Sequence, residues 1–420
     1  MTSAPRTSPT GSRSTSFGRP ARPLWNLEPE LTFLNHGSFG AVPVELLDRA
    51  AAFRREIERN PVAGVWRDGF PGTRVAAAAV ADFLGSDPNL TGFVSNATAG
   101  VNAMLQSFPL EPGDEVLHLD QGYNAVWQTI LVTARRRGIV PGRIELPLPV
   151  TGPDDVVAAI ERSFAPKTRL LVLDQITSPT ALVLPVAAIV EMAASHGVDV
   201  IVDGAHAPGM IPHAATPAAH ALAWTGNLHK WPCALRGTAV VTVRADVAPV
   251  LKPAVVSHHL DQSFAAEFDW QGTIDPTPWL LAPDAIAFMD RFGGWDAVRS
   301  RNHALAVEQH AALVERFGVE PISPLDGSML GFMATIELPR AFQPDHGGPD
   351  FASSNAVPGP DGRPVIGMDP VQERLLFDHR IEVPIVVHAG RRFVRFSVHV
   401  YNEPADYARL ADAVMSLADD

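Results

Sequence analysis

The sequence is poor in cysteine, in basic charge and in long apolar runs. Its 420 residues include a single cysteine, Cys233, which excludes an internal disulfide and suits a reducing cytoplasm. The formal net charge of −13 argues against a nucleic-acid partner, because such proteins present a basic face. No apolar run reaches the roughly 18 residues that a membrane span needs, so no membrane association is expected.

Lysine is also scarce, and this scarcity is informative. Three lysines, Lys167, Lys230 and Lys252, stand against 30 arginines. Lys230 lies in Trp224-Thr-Gly-Asn-Leu-His-Lys-Trp231, a short distance after an apolar run that ends at Asp203. Arginine cannot form a Schiff base, so a lysine kept in this context indicates that an amine nucleophile is required. A lysine that holds pyridoxal phosphate (PLP) as an imine, with Asp203 pairing the pyridinium nitrogen, accounts for both residues.

The first 24 residues differ in composition from the rest of the chain. They are rich in Ser, Thr, Pro and Arg, with almost nothing apolar. Such a segment buries too little surface to offset its ordering entropy, so residues 1–24 are predicted to be a disordered tail. The segment lacks the apolar centre of a secretory signal.

The remaining chain predicts two domains. From residue 91 onward short apolar runs alternate with amphipathic, helix-length stretches, which is typical of a mostly parallel sheet between helices. The predicted strands are 92–95, 115–119, 169–173, 199–202, 222–224 and 237–243, the last being a candidate antiparallel edge strand. We predict a large domain over 25–285 and a smaller α+β domain over 286–420. The Gly-, Pro- and Asp-rich residues 339–366 are predicted to form a surface excursion.

Seven short motifs carry a resemblance to a known family. They are Leu34-Asn-His-Gly-Ser-Phe-Gly40, Asn96-Ala-Thr-Ala-Gly100, Ile176-Thr-Ser-Pro-Thr180, Val202-Asp-Gly-Ala-His-Ala-Pro-Gly209, His229-Lys-Trp231, Gly272-Thr-Ile-Asp275 and Arg395-Phe-Ser-Val-His-Val-Tyr-Asn402. In this order the chain resembles class V of the fold-type I PLP enzymes, and within it the isopenicillin N epimerase-like branch. The resemblance implies a seven-stranded, mostly parallel sheet, PLP as cofactor and a homodimer with composite active sites.

The segment Asn96-Ala-Thr-Ala-Gly100 is a candidate phosphate cradle. It follows a predicted strand and opens a predicted helix, where free N–H groups and the positive end of the dipole attract anions. The Thr98 hydroxyl and the turn at Ala99 would bind the cofactor, although a plain helix N-cap is the alternative. By the resemblance, Asn227 and His229 also reach the phosphate, and Thr273 crosses the dimer interface to the partner's phosphate.

The ring of the cofactor would meet a second group of residues. Asp203 ends an apolar strand, where a lone carboxylate is costly without a cation, and a protonated pyridine nitrogen is such a cation. A salt-bridged structural aspartate is the alternative. The resemblance places His206 beside the cofactor, Tyr123 over the ring face and Ser178 near the phenolic oxygen, with offset stacking holding the ring against Tyr123.

Substrate contacts are predicted from the two ends of the chain. The resemblance places Arg395 on the substrate carboxylate, which a planar guanidinium binds bidentately. Asn35 and His36 match a loop that lines the substrate side. His258 and His259 are weaker candidates, because adjacent loop histidines are often only surface residues. No metal-ligand spacing is found.

Four reactions at Cα or Cβ of an amino acid fit these residues, with Lys230 as the base. Epimerisation needs a second acid, for which His36 or one of the pair His258 and His259 would have to serve. β-Elimination needs only Lys230 and a leaving group. Desulfuration is discounted, because it needs a nucleophilic cysteine on a mobile loop of the C-terminal domain, whereas the single cysteine, Cys233, lies three residues after Lys230 in a packed loop. We predict a C–S β-lyase for an S-substituted cysteine conjugate in secondary metabolism, with epimerase as runner-up and decarboxylative deaminase or aminotransferase as further alternatives.

A non-catalytic role is disfavoured. PLP folds also serve as ligand sensors in transcription regulators, but those carry a basic DNA-binding domain. The N-terminal segment here is too short for one, and the chain is acidic.

Overall fold

A seven-stranded sheet is the centre of the computed structural model, which describes residues 15–343, 356–358, 364–366 and 368–419. The strands are β1 (Thr32–Phe33), β2 (Thr91–Val94), β3 (Glu115–Leu119), β4 (Val140–Ile144), β5 (Thr168–Asp174), β6 (Asp199–Asp203), β7 (Ala223–Asn227), β8 (Ala239–Val243), β9 (Met333–Glu337), β10 (Ala356–Pro358), β11 (Pro364–Ile366), β12 (Ile381–Glu382), β13 (Ile385–His388) and β14 (Arg391–Ser397). The large sheet has the order β2-β8-β7-β6-β5-β3-β4, in which β8 runs antiparallel to both its neighbours.

Helices cover both faces of this sheet, and further helices pack in the smaller domain. They are α1 (His36–Phe39), α2 (Val44–Arg59), α3 (Gly69–Leu84), α4 (Ala97–Ser107), α5 (Asn124–Arg137), α6 (Pro153–Arg162), α7 (Val186–Ser195), α8 (Phe264–Asp269), α9 (Thr277–Leu280), α10 (Ala282–Ala287), α11 (Gly294–Phe317), α12 (Pro370–Phe377) and α13 (Pro404–Asp419). Within the described ranges, no helix combines the length and the hydrophobicity that a membrane span requires.

The apolar strands are buried on both faces because the sheet lies between two cores. Along β5, Leu171 and Leu173 enter one core, whereas Leu170 and Val172 enter the other. All four side chains are fully buried. This two-sided burial explains why the strands have continuous apolar sequences rather than alternating ones.

The predicted fold class is confirmed, with two corrections to individual strands. The strand near 237–243 is antiparallel as expected, but it lies inside the sheet, and β2 is the edge on that side. The other edge, β4, was not predicted. Its sequence, Val-Pro-Gly-Arg-Ile, contains two residues that are rare inside sheets and are tolerated at an edge.

The smaller sheet has the order β13-β14-β9 and is antiparallel throughout. Ile336, Val394 and Phe396 point from one face into an apolar core shared with α11 and α13. Thr335 and Arg395 are directly opposite each other on the other face. Thr335 Oγ1 donates to the carbonyl of Pro179 at 2.9 Å, so this second face lies against the large domain.

The predicted disordered tail is wrong for its last ten residues. Residues 19–24 form a short 3₁₀ helix, and the amide of Gly18 donates to the carbonyl of Val400 at 2.8 Å. Ala21 is fully buried, because the helix packs with Trp25 against Phe292. Residues 1–14 lie outside the described part of the chain.

The structure bears on two other predicted boundaries. β1 pairs with β12, so residues 32–33 join the smaller domain although they precede the large one in sequence. In the predicted excursion, β10 pairs with β11, whereas residues 344–355, 359–363 and 367 lie outside the described residues.

Gly40 ends α1 against the backbone of the Lys230 loop, and its replacement should be costly. A Cβ there would lie 1.9 Å from the carbonyl oxygen of His229, and the φ of Gly40 is +67°. Gly113, with a φ of +92° and nothing within 4 Å of its Cβ position, is the matched control. We expect Gly113→Ala to lower the free energy of unfolding by about 1 kcal/mol, the backbone cost alone. Gly40→Ala should lower it by at least about 3 kcal/mol in urea unfolding. Equal losses of unfolding free energy in the two variants would show that the Lys230 loop moves to accommodate the added Cβ at no cost.

Candidate active site

A cavity of about 510 Å³ opens where the parallel strands β5 and β6 end. Ligands of open parallel sheets bind at this carboxyl edge. Most of the predicted cofactor residues are brought together in its wall, although they come from separate parts of the sequence. These are Thr98, Tyr123, Ser178, Asp203, His206, Asn227, His229 and Lys230. Ala99, Thr273, Arg395, Asn35 and His36 do not line it.

The Lys230 amine is buried in the cavity wall, with 8% of the residue exposed. Its Nζ lies 3.0 Å from Nε2 of His206. Burial, with a smaller effect of Arg395, lowers the pKa of Lys230 to about 7, and Asp203 partly opposes the change. Burial and the same amine hold the pKa of His206 well below its ordinary value. His206 is therefore neutral and acts as a hydrogen-bonding partner of the amine.

Two carboxylates end adjacent strands beside this amine. Asp203 ends β6 and Asp174 ends β5, and the two residues are register partners. Asp203 Oδ1 accepts from the amide of Ala205 at 2.9 Å, and burial raises the pKa of Asp203. Burial and the neighbouring Asp203 raise the pKa of Asp174 well above its usual range. Oδ2 of Asp174 is buried without a hydrogen-bond partner among the described residues. The pair therefore favours a cationic ligand.

Asp174 was not predicted from the sequence, although a signal for it exists. Like Asp203, it directly follows an apolar, fully buried run, Leu170–Leu173, so the same cost of a lone carboxylate applies. Arg236, a second cavity residue without a predicted role, donates from Nη2 to the carbonyl of Gly40 at 3.0 Å.

The start of α4 forms the opposite side of the cavity. Asn96 Oδ1 accepts from the amide of Ala99 at 2.9 Å, and Asn227 Oδ1 accepts from the amide of Ala97 at 2.8 Å. The Ala99 amide is thus occupied by the helix cap, and the Asn227 amide oxygen fixes the turn. Thr98 and His229 remain on the cavity wall, and Nδ1 of His229 is buried without a described partner.

Arg395 lies directly behind the cavity wall. Its Nη2 donates to Ser38 Oγ at 3.0 Å and its Nη1 to Ser178 Oγ at 3.2 Å, and both serines line the cavity. Nε of Arg395 is buried without a described partner. Burial lowers its pKa to about 10, so the guanidinium stays charged at neutral pH. Its predicted role as a carboxylate clamp stays a prediction.

The placement of His36 corrects the predicted substrate side. The ring is fully buried, with Nδ1 2.7 Å from the Tyr401 hydroxyl and Nε2 3.1 Å from the Lys230 carbonyl. Burial lowers its pKa to about 3. It supports the backbone of Lys230 and does not face the cavity. Asn35 does not line the cavity either: it donates to Glu382 Oε1 at 3.1 Å and accepts from the cavity-lining Ser38 Oγ.

The remaining candidates lie on the outside of the chain. His258 is exposed, and His259 stacks on Phe70 with ring centroids 4.9 Å apart. Neither of them lines the cavity of its own chain. Thr273 is exposed and does not line the cavity of its own chain. Its predicted role across a dimer interface stays a prediction.

The residues of the cavity fit pyridoxal phosphate. Lys230 offers an amine with a lowered pKa, and the two buried carboxylates offer a place for a pyridinium nitrogen. The start of α4 and the unpartnered His229 nitrogen offer a place for a phosphate. Tyr123, half exposed at the start of α5, offers an aromatic face.

Comparison with known proteins gives consistent matches. The family model described as aminotransferase class-V matches residues 42–339. Isopenicillin N epimerase of Amycolatopsis lactamdurans is 31% identical, covering 95% of this chain and 98% of that protein. Putative L-cysteine desulfhydrase 1 of Oryza sativa subsp. japonica is 31% identical, covering 92% and 83%. A solved complex of the cystine C–S lyase C-DES with cysteine persulfide has a TM-score of 0.73 at 18% identity, covering 93% and 98%.

The buried amine predicts a pH-dependent stability for the cofactor-free protein. The pKa of Lys230 is about 7 when folded, against 10.5 ordinarily, so protonating the amine opposes folding. That cost is fully present below pH 7 and disappears as the pH rises towards the unfolded pKa. We therefore expect Lys230→Met to be more stable than the wild type by on the order of 3 kcal/mol at pH 6, and by much less at pH 9.

Urea unfolding at the two pH values measures this difference. Lys167→Met, which replaces an exposed lysine, is the control and should show little change at either pH. A Lys230→Met advantage that did not change with pH would contradict the lowered pKa.

Proposed function

Because this chain belongs to the aminotransferase class-V family, and is therefore a PLP-dependent enzyme, we propose that it is a C–S β-lyase. Its substrate in this proposal is an S-substituted cysteine conjugate of secondary metabolism. The observation that carries the proposal is the single amine base, Lys230, in a cavity whose described wall contains none of His36, His258 and His259.

The cofactor would be held by residues from both sides of the cavity. Asp203 would pair the pyridinium nitrogen, with His206 and Tyr123 flanking the ring and Ser178 near the phenolic oxygen. Thr98 and His229 at the start of α4 would hold the phosphate. When bound, pyridoxal phosphate supplies an electron sink that makes the bonds at Cα of an amino acid labile.

The protein's own contribution is the handling of protons. Lys230 has a pKa of about 7, so a substantial fraction of the amine is neutral near neutral pH and able to accept the Cα proton. His206, 3.0 Å away and neutral, orients the amine without competing for the proton. Asp203 would hold the proton on the ring nitrogen. Loss of the Cα proton and of the sulfur at Cβ, followed by addition of water, gives a thiol, pyruvate and ammonia.

We also propose a homodimer with composite active sites. Thr273 is exposed, and so are the apolar side chains of Val255, Val256, Leu260 and Ile274 in the same stretch of chain. Exposed apolar groups of this density support an interface. The cytoplasmic location predicted from the single cysteine stays a prediction.

An amino-acid epimerase is the second candidate function. It is favoured by the relative from A. lactamdurans, which this chain matches over 98% of that protein's length. It requires an acid on the face of Cα opposite Lys230.

A panel of substrates tests the proposed reaction. The purified holoenzyme should release pyruvate and ammonia from S-alkyl-L-cysteines, and Lys230→Ala should lose this activity together with the covalent attachment of the cofactor. Coupled assays for pyruvate and ammonia, with chiral chromatography of the remaining substrate, distinguish the outcomes. Inverted chirality without pyruvate would establish the epimerase, and an aldehyde with CO₂ the decarboxylative deaminase. Undiminished activity of Lys230→Ala would refute the assignment of the base.

Substrate binding and cofactor binding should separate in two variants. Arg395→Lys keeps a charge but loses the planar fork, so substrate affinity should fall by about 2 kcal/mol with cofactor retention intact. Thr273→Ala should weaken cofactor retention and leave substrate affinity unchanged. Absorbance titration with PLP and then with substrate measures both, and each variant is the control for the other. If Arg395→Lys lost cofactor and kept its substrate affinity, the carboxylate site would lie elsewhere.

A further inference from the structure

A second cavity, of about 730 Å³, lies beside the candidate active site. It opens between the large domain and the small C-terminal sheet. Its wall includes Asp120, Trp127, Arg143, Glu145, Arg391 and Phe393, none of which has a role in cofactor binding. Its position relative to Arg395 and the charges on its wall indicate which part of a substrate it could bind.

The small sheet connects the two sites. Side chains alternate along a strand, so Arg391, Phe393 and Arg395 lie on the same face of β14. His388 on β13 is the register partner of Arg391, and Glu337 on β9 is the register partner of Phe393, so both share this face. The face that carries Arg395 behind the active site therefore continues into the second cavity. At about 3.4 Å per residue, Phe393 and Arg391 lie ~7 and ~14 Å along it from Arg395.

The large domain makes the same connection on the opposite wall. Tyr123 lines the active-site cavity and Trp127, one helical turn later in α5, lines the second cavity. Asp120, three residues before Tyr123, lines the second cavity too. His388 Nε2 lies 3.6 Å from Asp120 Oδ2, which joins the two walls. The two cavities are thus neighbours along both walls.

The wall of the second cavity contains both cationic and anionic side chains, and its two arginines lie over aromatic rings. Arg143 lies over the Trp127 ring at 4.2 Å, and Arg391 lies over the Phe393 ring at 5.4 Å. Arg391 binds Glu337 through Nε and Nη2, and its Nη1 has no partner among the described residues. The carboxylates of Asp120 and Glu145 are the opposite charges. With Glu337 counted, two guanidinium groups and three carboxylates lie on or beside this wall. A group with a single charge can pair with only one of the two signs, whereas a dipolar group pairs with both.

We propose that this cavity binds the distal end of the substrate, and that this end is dipolar, carrying both an ammonium and a carboxylate group. The substrate class is then an extended cysteine conjugate whose second charged end lies ~7 to 14 Å from its α-carboxylate. The inference rests on the proposed function, because the α-carboxylate is taken to lie near Arg395.

Four mixed disulfides of L-cysteine test the proposal, because they share one leaving-group chemistry. Their second halves are ethanethiol, 2-mercaptoethylamine, 3-mercaptopropionate and L-cysteine itself, which offer no charge, an ammonium, a carboxylate and both. Elimination breaks the Cα–H and Cβ–S bonds, consumes one water and yields pyruvate, ammonia and a persulfide in each case. We expect kcat/KM for the dipolar compound to exceed that for the ethyl compound by at least about tenfold, mostly through KM. Equal kcat/KM values for the four would overturn the proposal.

Arg391→Gln and Arg392→Gln form a matched pair of variants. The two arginines are neighbours on β14 and each binds a carboxylate, Glu337 or Asp369, but Arg392 points to the opposite face. Arg391→Gln should lower kcat/KM about tenfold for the two carboxylate-bearing compounds and leave the other two within about twofold. Arg392→Gln should leave all four within about twofold. Loss of the carboxylate preference in both variants equally would overturn the assignment.

Glu145→Gln provides a second variant from the other wall. Glu145 is exposed, so its replacement should not affect folding, which thermal unfolding checks. It should lower kcat/KM for the two ammonium-bearing compounds and leave kcat/KM for the other two unchanged. No change for any compound would remove Glu145 from the site.

Failure of the lyase proposal can be distinguished from failure of this one. If pyruvate never forms, exchange of the Cα proton for solvent deuterium, followed by NMR, reports the same selectivity for any reaction that starts at that bond. For a compound that does not react, calorimetry on the holoenzyme gives its dissociation constant. Dipolar selectivity without pyruvate refutes the lyase and supports the cavity assignment. Pyruvate formation without dipolar selectivity supports the lyase and refutes the cavity assignment.

Discussion

Lys230, Asp203 and Asp174 share a buried volume in which none of their charges is well solvated, and the remainder of the site is arranged around this constraint. Burial lowers the pKa of the amine to about 7 and raises the pKa of both carboxyls. Burying any one of these charged groups alone costs free energy. Together they offset that cost only in part, since two carboxyls face one amine. A cationic ring in the cavity would complete the balance. Under the proposed assignment, the cofactor would then act as a structural counter-ion as well as a reagent.

The C-terminal domain holds this arrangement in place. Arg395 reaches from β14 to Ser38 at the N-terminal side and to Ser178 after β5, and so ties three distant segments together at the cavity wall. Thr335 on the neighbouring strand adds a bond to the Pro179 carbonyl. The same sheet face that fixes the wall also borders the second cavity. Under the proposed substrate role of that cavity, changes in the loops around this sheet would alter which substrates fit while the amine and its carboxylates stay unchanged.

Much of the fold was predictable because its signals are local. Continuous apolar runs such as Leu170–Leu173 mark strands buried on both faces, and the polar residue that ends each run marks the functional edge of the sheet. Asp203 was found in this way, and Asp174 was missed because no motif drew attention to it. The inward strand at 239–243 was misplaced at the edge, since hydrophobic pattern does not specify strand order. His36 was assigned to the substrate side from its motif, but which way a side chain points from a four-residue helix depends on distant partners, here Tyr401 and Lys230.

His36 lies in a buried cluster that resembles a metal site but has a structural role. His36, Cys233 and His399 bring their ligand-type atoms within 4.8 Å of one another, as a metal site would. However, the two imidazole rings are stacked 3.9 Å apart with planes 18° from parallel, so no single ion can lie in both ring planes close to both nitrogens. A carbonyl only accepts hydrogen bonds, so Nε2 of His36 must carry a proton to bind the Lys230 carbonyl, which leaves Nδ1 to accept from Tyr401. A protonated nitrogen does not bind a metal. The three residues are therefore a neutral, buried block that binds the backbone of the Lys230 loop. His36 Nε2 donates to the Lys230 carbonyl, and His399 Nε2 and Cys233 Sγ contact the Trp231 carbonyl at 3.4 and 3.6 Å.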